Sequence, residues 1–252
     1  MTRKVLVTAG ASGIGKHIAA AFVAAGDDVY VCDIDAGALK SAAAELNGLK
    51  TGVCNVGDRR QIENMVADAA DRLGGIDVLV NNAGISGPTA PVQNIDSDQW
   101  EQVLQVNLTG TFNVTKYAIP HLIASGKGVI IVMSSAAGRF GYPNRSPYST
   151  AKWGLIGFTK TLSMELGEHN IRANAILPGA VDGDRIQRVF QGRSQATGQS
   201  VDEIKSIAMA NQSLKYLVDP DSIAALAVFL ASDAGRSISG QVLPIDGDMQ
   251  RN

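Results

Sequence analysis

The stretch Val5-Leu6-Val7-Thr8-Ala9-Gly10-Ala11-Ser12-Gly13-Ile14-Gly15 decides the fold. Its apolar start, Lys4–Thr8, reads as a strand buried on both faces, as in a parallel sheet. Gly13 and Gly15 then open an amphipathic run to Ala25 that reads as a helix. A glycine-rich turn between a first strand and a first helix brings backbone close to a pyrophosphate. The helix N-terminus adds free N–H groups and a positive dipole. Gly10, Ser12, Gly13, Ile14 and Gly15 are therefore candidate dinucleotide contacts. Any tight strand-to-helix turn also favours glycine, so placement carries the reading.

The same alternation continues downstream. Strands are expected at Asp28–Asp33, Lys50–Cys54, Ile76–Val80, Val129–Met133, Ile171–Leu177 and Gln241–Ile245. Helices are expected at Ala36–Leu46, Asp58–Arg72, Ser97 to about Ile123, Tyr148–Gly167 and Asp219–Ala231. Seven buried strands alternating with helices predict an α/β fold, a Rossmann-like doubly wound parallel sheet in three α/β/α layers. No Pro/Ser-rich linker interrupts it, so residues 1–252 are expected to form one domain. Residues 183–212 break the rhythm, with weak helical periodicity from Val201 to Met209. An insertion there falls near the carboxyl ends of the strands, where ligands bind, or packs on a neighbouring subunit.

The second strand ends in Asp33, eighteen residues past Gly15. A carboxylate there accepts both adenosine-ribose hydroxyls and repels a 2′-phosphate, while Ser12 and Ile34 beside it are not basic. NAD is therefore expected over NADP. The plainer alternative is that Asp33 caps the next helix together with Asp35.

Composition narrows the rest. The chain has 252 residues, 45% apolar and 18% charged, which is globular rather than disordered. Its 22 Lys+Arg against 24 Asp+Glu give a net charge of −2, so no nucleic-acid partner is expected. Two cysteines, Cys32 and Cys54, exclude a disulfide framework. They read as buried neighbouring thiols. His17, His121 and His169 lack metal-ligand spacing, and no metal is expected. His17 is expected to be solvated, and Trp100 and Trp153 to pack helix interfaces. No stretch reaches membrane-spanning length and no signal peptide is apparent, so a cytoplasmic protein is expected.

An ordered set of motifs resembles the short-chain dehydrogenase/reductase family in its single-domain branch of this length. Thr8 to Gly15 stands for the glycine turn, and Asn81-Asn82-Ala83-Gly84 follows the fourth strand. Asn107 lies in "VNLTGTF" and Ser135 follows the fifth strand. Tyr148 and Lys152 form "YSTAK", and Pro178-Gly179 follows the sixth strand. There are departures: Ala9 replaces the family's first glycine, Gly183 stands where a threonine often touches the nicotinamide amide, and Asn55 replaces a usual Asp.

The resemblance implies a catalytic set of Asn107, Ser135, Tyr148 and Lys152. Tyr148 and Lys152, at i and i+4, share a helix face. A fixed ammonium lowers the phenol's pKa, so that Tyr148 exchanges a proton with the substrate. Ser135 would hold the substrate oxygen, and Asn107 a water beside Lys152. Lys152 would also bind the nicotinamide ribose. Asn55 and Val56 would meet the adenine. Asn82, Ala83 and Gly84 would let the backbone pass the adenosine, with Asn81 bridging strands. Pro178, Gly179 and Val181 would lie along the nicotinamide.

The implied substrate is a polar or anionic hydroxy compound contacting Ser135, Tyr148, Arg145 and Arg185, since arginine binds oxyanions in bidentate fashion. Surface or subunit pairing is the alternative for those arginines. Other implied readings are a 3-oxoacyl thioester reductase and a non-catalytic dinucleotide sensor or scaffold. The family is commonly homotetrameric.

Overall fold

The computed structural model describes residues 2–250. In chain order it runs β1 Lys4–Thr8, α1 Gly13–Ala24, β2 Asp28–Asp33, α2 Ala36–Glu45, β3 Lys50–Val53, α3 Arg59–Leu73 and β4 Val78–Asn81. Then follow α4 Ser97–Leu104, α5 Gly110–Ser125, β5 Val129–Met133, α6 Ser146–Glu165 and β6 Arg172–Pro178. The chain closes with α7 Asp184–Thr197, α8 Val201–Ala210, α9 Pro220–Ala231 and β7 Val242–Ile245. The strands form one seven-stranded sheet in the order β3-β2-β1-β4-β5-β6-β7, and every pairing is parallel.

Side-chain alternation along the strands builds both outer layers. Leu6, Tyr30, Cys32, Leu79, Ile130 and Val132 point to the face covered by α3, α5 and α6. Their neighbours Val5, Val7, Val29, Val31, Val78, Val80 and Ile131 point to the face covered by α1 and α9. With both faces covered, the central strands read as unbroken apolar runs. Aspartates start the helices: Asp35, Asp58, Asp96 and Asp219 each accept a hydrogen bond from a first-turn N–H. The strand order reverses between β1 and β4, the place where such sheets open a crevice at the carboxyl end.

Three expectations need correction. The helix expected from Ser97 to about Ile123 is α4 and α5 joined by a π-helical turn, Gln105–Thr109, and it extends to Ser125. Residues 183–212, where helical periodicity is read only weakly and from Val201 to Met209, hold two helices. Helix α7 was hard to read because only Phe190 of its fourteen residues is buried. Trp153, expected at a helix interface, is half exposed within the chain.

No helix of the described residues is long and apolar enough to cross a membrane. His17 is partly exposed as expected, and its Nδ1 lies 2.6 Å from Asp221 Oδ1. Cys32 and Cys54 are free, buried thiols in mutual hydrogen bond.

Candidate active site

The glycine turn is held from below by β4. Thr8 Oγ1 accepts from the backbone N–H of Asn82 and of Ala83, each at 3.0 Å. Asn82 Nδ2 donates to Thr8 O at 3.1 Å and Ala9 O at 3.0 Å. Ala9 sits at φ 49°, a left-handed conformation that glycine adopts without cost. Gly15 admits no side chain: a Cβ there would fall 2.1 Å from Ala9 O and 2.5 Å from Asn82 Nδ2. Gly13, at φ 51°, faces open space with nothing within 4 Å of a Cβ. Ser12 at the N-cap spends no side-chain bond on the helix, and the first turn of α1 carries no acidic residue. This cradle of open backbone at a twelve-residue helix N-terminus fits a pyrophosphate.

Asp33 accepts from Ala11 N and Asp35 N, each at 3.2 Å. The cap of α2 is made by Asp35, which accepts from Ala38 N at 3.0 Å, so capping does not account for Asp33. Ile34 beside it is exposed. Asn55 Oδ1 already accepts from Gly57 N at 2.9 Å, which leaves that oxygen one lone pair. Val56 is buried, and its carbonyl would clash with any Cβ on Gly110. Asn81 bridges to α5, its Nδ2 donating to Thr115 Oγ1 at 2.9 Å.

The carboxyl ends of β4 and β5 and the start of α6 gather the other candidates. Ser134 Oγ donates to Lys152 O at 2.7 Å and ties α6 to β5. Ser135 Oγ accepts from Ala137 N at 3.2 Å and hydrogen-bonds the Tyr148 phenol. Lys152 is buried; its Nζ donates to Met133 O at 2.7 Å and lies 5.7 Å from the Tyr148 ring centroid.

Burial drives the Lys152 ammonium down to about 8, against a supporting pull from Tyr148 and a further push from Arg185. Burial also pushes the Tyr148 phenol upward. The Lys152 and Arg185 charges, the Ser135 hydrogen bond and Arg145 outweigh it and hold the phenol below its ordinary value.

Asn107 is fully buried in the π-helical turn. Its Oδ1 accepts from Ile85 N at 2.7 Å and its Nδ2 donates to Ile85 O at 3.0 Å. The side chain thus pins the loop after β4. A Cβ on Gly84 would lie 3.1 Å from Asn107 Oδ1 and 3.6 Å from Lys152 Nζ, so only glycine passes between them with room to spare.

A cleft of about 690 Å³ brings most of these residues together. Ser12, Gly13, Ile14, Asn82, Gly84, Ser135, Tyr148, Lys152, Pro178, Gly179 and Val181 line it. Arg145 and Arg185 line it too, their guanidinium carbons 5.0 Å and 5.9 Å from the Tyr148 ring centroid. Gly10 and Gly15 shape the turn from behind, while Ala83, Asn107, Asp33, Ile34, Asn55 and Val56 stand outside the lining. Gly183, at φ 133°, lines the cleft as the N-cap of α7 and donates its N–H to Asp182 Oδ1.

Sequence reasoning missed the bracing by Thr8 and Ser134. Hydroxyls beside strand ends are too common to signal it. Arg145 is not a surface residue: it is 2% exposed. Among the described residues no group of three or more His, Cys, Asp or Glu could hold a metal.

The family model described as short chain dehydrogenase matches residues 3–194. The 3-oxoacyl-(acyl-carrier-protein) reductase FabG of Thermotoga maritima is 37% identical, covering 97% of this chain and 96% of that protein. The D-beta-hydroxybutyrate dehydrogenase of Cupriavidus necator is 35% identical, covering 96% and 95%. A crystal structure of NAD+-bound xylitol dehydrogenase superposes with a TM-score of 0.94 at 30% identity, covering 97% of this chain and 98% of that one.

Proposed function

Since the chain belongs to the short-chain dehydrogenase family, oxidoreductases that act on CH–OH groups with nicotinamide cofactors, we propose that it interconverts a secondary alcohol and a ketone with NAD(H), Tyr148 moving the proton. The observation that carries this reading is the phenol of Tyr148, exposed to the cleft beside a buried ammonium and a serine hydroxyl. When bound, the nicotinamide supplies the acceptor for the hydride.

Tyr148 takes the alcohol proton in oxidation and returns it in reduction. Lys152, fixed on Met133 O, keeps the phenolate accessible and faces the ribose side of the cleft. Ser135 donates to the substrate oxygen and steadies charge developing there. Asn107 holds the Ile85 backbone beside this centre, and the proton path from Lys152 to solvent runs past it. Gly13 leaves room for the pyrophosphate, Gly10 and Gly15 let the turn pack tightly from behind, and Ser12 and Ile14 complete it. Pro178, Gly179 and Val181 flank the nicotinamide.

NAD is favoured over NADP. Asp33 ends β2 with its carboxylate on Ala11 N, and neither Ser12 nor Ile34 could neutralise a 2′-phosphate. Ile34, Asn55 and Val56 enclose the adenosine, with Asn82, Ala83 and Gly84 behind it. The substrate is a polar or anionic hydroxy compound: a sugar, polyol or hydroxy acid. The similarity to D-beta-hydroxybutyrate dehydrogenase supports that class.

The chain is read as one domain assembling into a cytoplasmic homotetramer. Phe112, Ile123, Trp153 and Met164, exposed on α5 and α6, support a subunit contact. The reduced pair Cys32 and Cys54 suits a reducing compartment.

A second reading, reduction of 3-oxoacyl thioesters, is favoured by the FabG similarity. A panel of secondary alcohols, sugars and hydroxy acids, scored with NAD+ and with NADP+, tests both. The proposal expects NADH formation from a hydroxy compound, with NADP+ at least tenfold poorer. Turnover confined to 3-oxoacyl thioesters with NADPH contradicts it. Nucleotide binding without turnover of any kind would support a sensor.

A further inference from the structure

Four cationic side chains line the cleft, Arg145, Lys152, Arg185 and Arg188, against two carboxylates, Asp182 and Asp184. Neither aspartate pairs with an arginine there, and Asp182 Oδ1 accepts from Gly183 N at 3.0 Å. Arg145 is the unusual member. It is 2% exposed, and among the described residues its guanidinium makes one hydrogen bond, Nη2 to Ser86 O at 2.8 Å, and its Nε has no acceptor. A buried guanidinium without a counter-ion is costly, and a bound anion offsets that cost.

Its neighbours add to the same field. The Arg145 guanidinium carbon lies 5.0 Å from the Tyr148 ring centroid, and that of Arg185 lies 5.9 Å from it. Arg193, whose guanidinium carbon lies 4.6 Å from the Tyr142 ring centroid, backs the group.

We propose that the substrate is a short hydroxy acid, and its product the matching oxo acid, with the carboxylate gripped by Arg145 and Arg185 while the carbinol meets Tyr148. This deepens the reading above and rests on it. Both guanidinium carbons lie beside the Tyr148 ring, so a substrate that meets Tyr148 and both arginines carries its carboxylate near its carbinol. A 2- or 3-hydroxy acid does so; a distal phosphate or a long acyl thioester does not place its charge there. The planar guanidinium fork matches a carboxylate in bidentate fashion. In the oxidation the carbinol C–H bond breaks with its electron pair passing to NAD+, the O–H proton passes to Tyr148, and the C=O bond forms.

Two measurements test this. The first compares kcat/KM for three- to six-carbon 2- and 3-hydroxy acids with that for their neutral carboxamides. The wild type is expected to prefer an acid at least 100-fold, and Arg185→Gln to reduce that preference below tenfold. The second follows fluorescence of the NADH complex in a Tyr148→Phe background, where turnover is blocked, as pyruvate, acetoacetate or acetone is added. An oxo acid is expected to bind, at least tenfold more weakly in Arg185→Gln, and acetone not at all. Arg185 is exposed, so its variant folds even where an Arg145 variant does not. Turnover of carboxamides as good as that of acids overturns the carboxylate grip and leaves the dehydrogenase reading intact. Absence of NAD-linked turnover with every alcohol, together with no oxo-acid binding, overturns both.

Discussion

The Lys152 ammonium stands 5.7 Å from the centre of the Tyr148 ring, held there by its 2.7 Å bond to the Met133 carbonyl. The two side chains share one face of α6, and β5 supplies the carbonyl that fixes the reach of the longer one. They titrate as a pair, whose first proton leaves more readily than from a free phenol or a free ammonium.

That coupling predicts a pH profile. Oxidation needs the deprotonated base, so kcat/KM for the alcohol rises with pH, through an apparent value below the ordinary tyrosine value of about 10. Arg185 lowers both members of the pair. Removing its charge in Arg185→Gln therefore lets both keep their protons longer, and the rising limb moves to higher pH. A limb that stays in place, at saturating NAD+, denies Arg185 any field at the phenol.

The glycine turn makes opposite predictions at two neighbouring positions. In Gly15→Ala the new methyl would meet the Ala9 carbonyl at 2.1 Å, so the turn must open and NAD affinity should fall at least tenfold. Ala9→Gly relieves a left-handed alanine worth about 1–2 kcal/mol and gives back about 0.5–1 kcal/mol in chain entropy. Its Tm should hold or rise by up to about 3 °C. Thermal melts and NAD titrations of the two variants check both signs.

The fold was legible because parallel strands covered on both faces are unbroken apolar runs, and Val5–Val7 or Val129–Met133 can be nothing else. The juxtaposition of Tyr148 and Lys152 was legible because they lie four residues apart on one helix, and the glycine turn because it sits between strand and helix. What escaped was set by tertiary context. Helix α7 has one buried residue, and its apolar stripe is only Ile186, Val189 and Phe190 set among Arg, Gln and Ser, too short to stand out. The π-helical turn around Asn107 is a backbone adjustment that leaves no mark in composition. Arg145 has the sequence of a surface residue, and only the packing of Ser86, Tyr142 and Tyr148 around it makes it buried.

Asp33 should control the choice of cofactor. Asp33→Ser removes the carboxylate that the proposed function sets against a 2′-phosphate, along with its bond to Ala11 N. The ratio of kcat/KM for NAD+ over NADP+ should drop at least tenfold, and adding Ile34→Arg should lower it further. An unchanged ratio would mean that another group reads the ribose.

Asn82 should act through the turn rather than through substrate. Asn82→Ala leaves the Thr8 and Ala9 carbonyls without their donor, a loss of about 1–3 kcal/mol in stability for buried partners. Denaturant unfolding should show that loss, and the KM for NAD+ should rise more than the KM for the alcohol.

The most direct test is the steady-state rate of Tyr148→Phe, measured with a Tm and an NADH titration to show that fold and cofactor binding are kept. Loss of the phenol removes the proton acceptor, so NAD-linked oxidation should fall at least 1,000-fold while NADH still binds. A variant that binds NADH and turns over within tenfold of the wild type would contradict the account.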